Sequence, residues 1–191
     1  MDRIRLSTVI YRPPADVFPY LRDFTRYPRY AKHLESVTAD GDGGAGTRYA
    51  LHLSWWKLSY TARSEVTEIS DPTSLRWRLI KDIEAAGEWR VETAPDVQVP
   101  ADARVAAGDD SDARTGDEGT ASASRVYFEA LYDPHSASKD VVSLPRFVSW
   151  GWVIDKLRPR LMEEARRVLE RLVEDIEGVR RPVELTVHEM P

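Results

Sequence analysis

The last third of this chain carries one long amphipathic stripe, and the rest must supply something to cover it. From Trp150, apolar residues recur at Ile154, Leu157, Leu161, Ala165, Val168, Leu172 and Ile176, seven steps over 26 residues, or about 3.7 residues per step against the helical 3.6. Arg166, Arg167, Glu170, Arg171, Glu174 and Asp175 fall on the opposite face, so one side of this helix is wet and the other has to be buried. Pro145 can open the helix and Gly178 can end it. Pro159 lies inside the run and predicts a kink near Asp155 to Arg158.

Upstream, the period changes from helical to two. Arg3 to Tyr11 sets Ile4, Leu6, Thr8 and Ile10 against Arg3, Arg5, Ser7 and Val9, the alternation of a strand with one buried face. Pro13 and Pro14 stop it. Ala15 to Asp23 then places Val17, Phe18 and Leu21 on one helical face, and a second short helix is expected from Thr25, as its cap, to His33. Further strands follow over 35–39, 47–55, 58–69, 75–79, 86–93 and 125–132, with a glycine and aspartate turn at 41–46 and Asp71-Pro72 in another. The short links require antiparallel neighbours. Val183 to Glu189 alternates weakly and is read as an edge strand or a trailing tail.

Composition narrows the chemistry. The chain has no cysteine, which removes disulfides, thiolate nucleophiles and cysteine-type zinc sites. Residues 95–124 are rich in Gly, Ala, Ser, Thr and Asp without any aromatic residue, and read as a mobile acidic loop. That segment's seven acids and two arginines account for the whole net charge of −5. The neutral remainder offers no basic face for nucleic acid. The N-terminal MDRIRLSTVI lacks a signal-peptide apolar core, and no run approaches a membrane span, so a cytoplasmic protein is expected.

The order of strand, two short helices, strand meander and long C-terminal helix is that of an α+β domain. With the segments VIYRPPADVFPYLRDFTRYPRYAKHLESV, GEWRVE, SRVYFEALYDPH and the helix after SLPRF, it resembles the SRPBCC (START-like) superfamily, in particular its polyketide cyclase/dehydrase and coenzyme Q-binding branch. The resemblance implies a helix-grip fold over residues 1–178, a curved antiparallel sheet wrapped around the long helix, with residues 95–124 as a loop insertion outside the likeness and residues 179–191 as a tail or edge strand. It also implies an apolar cavity between sheet and helix that holds a hydrophobic small molecule such as an isoprenoid quinone, a lipid or a polycyclic aromatic compound. Carriers, cyclases and dehydratases share this architecture, so fold alone leaves binding and catalysis both open.

The residues themselves favour binding. His33, His52, His135 and His188 have no metal-ligand spacing, and no GxSxG, phosphate loop or GxGxxG is present; no metal or cofactor is expected. His52 and Arg63 are the candidate acid/base pair. On alternation both lie on the polar face in a cluster with Glu65, whereas an inverted face assignment would turn His52 inward. Candidate ligand-binding residues are Tyr49, Leu51, Leu53, Tyr60, Trp77, Trp89 and Phe128 on the apolar sheet face, and Phe147, Trp150, Gly151 and Ile154 at the start of the long helix. Gly151 leaves room for a guest or a strand to approach. Phe147, Trp150 and Trp152, flanked by Arg146, Lys156, Arg158 and Arg160, make up a candidate surface for transient membrane contact.

Overall fold

The computed structural model describes residues 1–55, 58–100, 103, 122–133, 135, 136 and 150–191. Eight strands form one antiparallel sheet in the order β2-β3-β4-β5-β6-β7-β1-β8. They are β1 (Asp2–Ile10), β2 (Leu34–Asp40), β3 (Arg48–Trp55), β4 (Leu58–Ser70), β5 (Ser74–Leu79), β6 (Ala85–Thr93), β7 (Ser124–Tyr132) and β8 (Thr186–Glu189). Strands β2 to β7 follow one another as a meander, and β1 returns beside β7 with Leu6 opposite Phe128. The long amphipathic run forms one helix, α2 (Trp150–Glu177), preceded in the chain by α1 (Pro14–Arg22). The backbone of α2 stays helical on both sides of Pro159.

The core lies where the inner face of the sheet meets α1 and the C-terminal half of α2. Val17, Phe18 and Leu21 of α1, Ile10 of β1, Val66 of β4, Leu75 of β5 and Val173 of α2 have no exposed surface. These are the positions that the alternation on each strand and the stripe on each helix assign to the inside. Gly178, with φ +75°, ends α2 in the left-handed conformation that glycine adopts at no steric cost, and its N–H bonds the Glu174 carbonyl.

Two local expectations are corrected. The segment after α1 is a 3-10 helix over Phe24–Arg29, shorter than the expected Thr25 to His33 helix, and Asp23 caps it by accepting from the Thr25 N–H at 3.2 Å. A carboxylate just ahead of the helix is the better acceptor for its free N–H groups, and Pro28 supplies none of its own. The acidic segment is not loose at its ends. Val99 is buried with Ala94 and Ala123 against Val9 and Tyr11, and Asp96 pairs with Arg125 at 2.8 Å. Residues 104–121 lie outside the described residues. Near the C-terminus, Thr186–Glu189 forms a strand at the edge of the sheet, paired with β1.

Hydrogen bonds to the residues that follow the 3-10 helix and β1 fasten α2 to the sheet. The Tyr30 hydroxyl donates to Asp175 at 2.5 Å, Arg171 donates to the Tyr30 carbonyl, and Glu164 accepts from the Lys32 N–H. Burial, reinforced by the Asp175 carboxylate, pushes the Tyr30 phenol well above its usual range. At the far end Glu177, almost completely buried, accepts from the Tyr11 N–H at 2.7 Å and pairs with Arg181 at 2.7 Å.

Candidate functional site

Strand register determines what faces α2. Opposite pairing places Leu75, Trp89, Phe128 and Leu6 in one row across β5, β6, β7 and β1, with Trp77, Gly87, Ala130 and Ile4 in the next. Gly87 is required there. A Cβ at this position would lie 2.4 Å from Trp77 Cζ2 and 2.5 Å from the Glu129 carbonyl oxygen, so the missing side chain is what lets the Trp77 indole lie against β6. Trp77 stacks towards Phe128 with centroids 6.4 Å apart and 19° between planes, and Phe128 meets Trp89 at 4.7 Å and 50°. These three rings form an aromatic platform on the inner face. Beside the platform, the Tyr27 hydroxyl donates to the Leu21 carbonyl at 2.5 Å.

Above one end of the platform the sheet and helix do not meet. A partly open cavity of about 150 Å³ lies between β6, β7 and β1 on one side and α2 on the other, lined by Leu6, Ser7, Thr8, Trp89, Val126, Phe128, Ala165, Val168, Leu169 and Leu185. Its described walls are almost wholly apolar, and among the described lining residues the only side-chain polar atoms are the Ser7 and Thr8 hydroxyls and the Trp89 indole N–H. Space arises at this place because Ala165 is the small member of the helix stripe, facing a sheet row of large side chains.

The candidate ligand-binding residues fall into five groups. Trp89 and Phe128 line the cavity. Trp77 and Leu51 pack on the edge of the main core, partly buried, and Leu53 sits opposite Tyr60 on the same face. Tyr49 is buried against Phe24 at 4.8 Å, beneath the 3-10 helix; burial, then the nearby Asp23, raises its phenol pKa. Tyr60 points a hydroxyl into the protein that finds no hydrogen-bond partner, as does Ser64 two steps of the alternation further along β4. Desolvation first and Asp82 second raise the Tyr60 pKa, so it is a neutral donor at ordinary pH. Phe147 lies outside the described residues, as do the side chains of Trp150, Gly151 and Ile154, whose backbone forms the first turns of α2. The candidate membrane-contact surface around Trp152 falls in the same stretch, and its side chains are likewise outside the described set.

His52 and Arg63 are on the other face. His52 Nδ1 is 3.0 Å from Thr61 Oγ1, its direct cross-strand partner. Arg63 is exposed opposite Ala50. Glu65, expected beside them, is instead bonded to Arg78 at 2.7 Å and approached by Arg48 at 3.5 Å, which hold its carboxyl below the usual range. None of these groups lines the cavity. Among the described residues no group of three His, Asp or Glu side chains is placed to hold a metal, and no helix is long and apolar enough to cross a membrane.

Residues 1–177 match the family described as polyketide cyclase / dehydrase and lipid transport. The chain belongs to this family. No curated protein matches it, but solved structures share its fold. TTHA0849 from Thermus thermophilus is 20% identical with a TM-score of 0.57, the match covering 92% of this chain and 97% of that one. The Zhui aromatase/cyclase from Streptomyces sp. R1128 is 14% identical, with a TM-score of 0.56 over 92% and 93% of the two chains. Ara h 8.0201 is 12% identical, with a TM-score of 0.54 over 93% of this chain and 98% of that one. Identities this low carry the helix-grip architecture of the family and no more.

Eight of the ten described cavity-lining residues are absent from the candidate ligand-binding set, and for four of them the pattern is visible in the sequence. Leu6 and Val126 alternate onto the inner face, and Ala165 and Val168 belong to the helix stripe. What the sequence does not display is that β1 pairs with β7, which puts Leu6 and Val126 on one wall, facing Ala165 and Val168 of α2.

Proposed function

We propose that this protein binds a hydrophobic small molecule between the inner sheet face and α2, as a carrier or reservoir, without acting chemically on it. The observation that carries this reading is an apolar cavity floored by Trp89 and Phe128 whose described lining holds no ionisable side chain. A general base must lie within hydrogen-bond reach of the proton it takes, and His52 and Arg63 sit across the sheet from this space. Native mass spectrometry of protein purified from its own host, with solvent extraction, tests the reading. It predicts a bound apolar compound and exchange with a neutral fluorophore such as N-phenyl-1-naphthylamine. A protein that carries nothing and leaves the fluorophore unchanged refutes it.

A cyclase or dehydratase acting on a polyketide-like chain is the second reading, favoured by the family description and by the unpartnered inner-face hydroxyls of Tyr60 and Ser64. Such donors can polarise a carbonyl. On this reading Tyr60→Phe abolishes turnover of a poly-β-keto substrate while His52→Ala and Arg63→Ala do not; on the first, no turnover is seen with any of them.

A further inference from the structure

The family match ends at Glu177, the last residue of α2, yet the chain continues and closes the cavity. The residues just beyond the helix are firmly fixed. Arg181 donates to the Val9 carbonyl at 2.8 Å and to Glu177, Val183 is buried in the core, and the Glu184 carbonyl accepts from Thr8 Oγ1 at 2.8 Å. Leu185 comes next and forms part of the cavity wall beside β1. Past it the hold weakens. All residues of β8 are exposed, its pairing with β1 consists of Arg5 with Glu189, Leu6 with Val187 and Ser7 with Thr186, and a bulge opposite Arg5 and Leu6 interrupts it. The side chains of β8 add a hydrogen bond between Ser7 Oγ and His188 Nε2 at 2.8 Å, a contact of the His188 ring with Tyr127 at 6.0 Å between centroids, and a long, exposed Arg3–Glu189 ion pair at 3.8 Å.

We infer that this C-terminal strap, Val183 to Glu189, is the selective wall of the binding cavity: Leu185 touches the guest and limits the girth of its buried end, and β8 must loosen for exchange. The inference rests on the cavity being the binding site. Its physical basis is the uneven distribution of stability. Opening the cavity by moving α2 would break the Tyr30–Asp175 bond, the Arg171 bond to Tyr30 and the buried Glu177 contacts together. Lifting β8 breaks a few exposed backbone bonds, the contacts of His188 with Ser7 and Tyr127 and the solvent-exposed Arg3–Glu189 pair, none of them buried like those of Glu177, and frees Leu185 to swing from the side of the cavity while Val183 stays anchored.

The absence of native cysteine makes a direct test available. Ser7 and Thr186 are Cα partners in the register, a separation of about 4.5–5.5 Å that a disulfide spans. In the Ser7→Cys, Thr186→Cys protein, oxidation should slow both association and dissociation of N-phenyl-1-naphthylamine about tenfold in stopped flow, about 1.4 kcal/mol in each barrier, and reductant should restore both. Identical rates in the two redox states of that protein overturn the gating role. Separately, Leu185→Trp should weaken equilibrium binding about tenfold by filling the cavity from the strap side, and Leu185→Ala should shift preference from one-ring to two-ring guests. Unchanged affinity and preference in both variants overturn the role of Leu185. If the wild-type protein itself binds no apolar probe, the cavity reading fails first, which separates that failure from a failure of the strap alone.

Discussion

Gly87→Ala is ordinarily a stabilising substitution, because alanine narrows the unfolded ensemble by about 0.4–1 kcal/mol where the backbone permits it. Here the space reverses the sign. The new Cβ would sit 2.4 Å from Trp77 Cζ2 and 2.5 Å from the Glu129 carbonyl oxygen. That oxygen belongs to the β7 backbone and cannot retreat without lengthening the ladder, so the indole has to lift. Overpacking of this kind costs about 1–3 kcal/mol, and losing the stack with Phe128 adds about 0.5–1.5 kcal/mol. After the entropy gain is subtracted, about 1–4 kcal/mol of destabilisation remains, which lowers the thermal midpoint by about 2–4 °C per kcal/mol for a chain of this size. Urea unfolding of Gly87→Ala, Trp77→Ala and the double variant measures it. The cycle should show strong coupling, since without the indole only the clash with the carbonyl is left. A Gly87→Ala protein as stable as wild type refutes the placement of Trp77 on β6, and with it the aromatic platform.

Other consequences follow from the same geometry. Ala165→Phe places a phenyl ring into a 150 Å³ space, a size known to accept benzene; fluorophore binding should vanish while the midpoint holds or rises, and intact binding would mean the guest sits elsewhere. Arg181→Met leaves the buried Glu177 carboxylate without its counter-ion, at a cost of about 3 kcal/mol in urea unfolding, and Glu177→Gln in the same background should recover most of it. Arg78 and Arg48 lower the Glu65 pKa in the folded state, so this group's contribution is complete above the ordinary glutamate range and is lost as pH falls through the lowered value. Thermal midpoints followed from about pH 6 to about pH 2 should therefore fall less steeply for Glu65→Gln than for wild type.

The parts of the fold that could be read in advance are those governed by a local period. Alternation located β1 and β3 to β7 to within a residue or two and placed Tyr49, Trp77 and Phe128 on the buried face with His52 and Arg63 outside. The helix stripe identified Ala165, Val168 and Leu172 as inward positions. Composition misled at Val99, because one valine with two alanines suffices to pin the base of a polar segment against Val9 and Tyr11, an event too small to register in a thirty-residue average. The cavity was legible only as a consequence of family likeness. Its walls come from β1, β6, β7, α2 and the strap, elements far apart in sequence, and the pairings that unite them are set by tertiary register.

The size of the cavity decides what kind of guest is needed. An unfilled space forfeits about 24 cal/mol per Å³, so 150 Å³ is worth at most about 4 kcal/mol to an occupant, and a guest confined to it binds no better than the millimolar range. Micromolar affinity takes about 4 kcal/mol more, which is about five further buried methylenes at about 0.8 kcal/mol each. The partly buried faces of Trp77 and Leu51, on the same side of the sheet, offer apolar surface for that extension, and the unpartnered Tyr60 hydroxyl offers one neutral donor for a carbonyl on the guest. In an alkyl-chain series titrated against N-phenyl-1-naphthylamine, affinity should therefore rise about fourfold per methylene beyond the length that fills the cavity, and a distal ketone should add to it in wild type but not in Tyr60→Phe. A plateau at the one-ring size would confine the guest to the 150 Å³ space and remove Trp77, Leu51 and Tyr60 from the site.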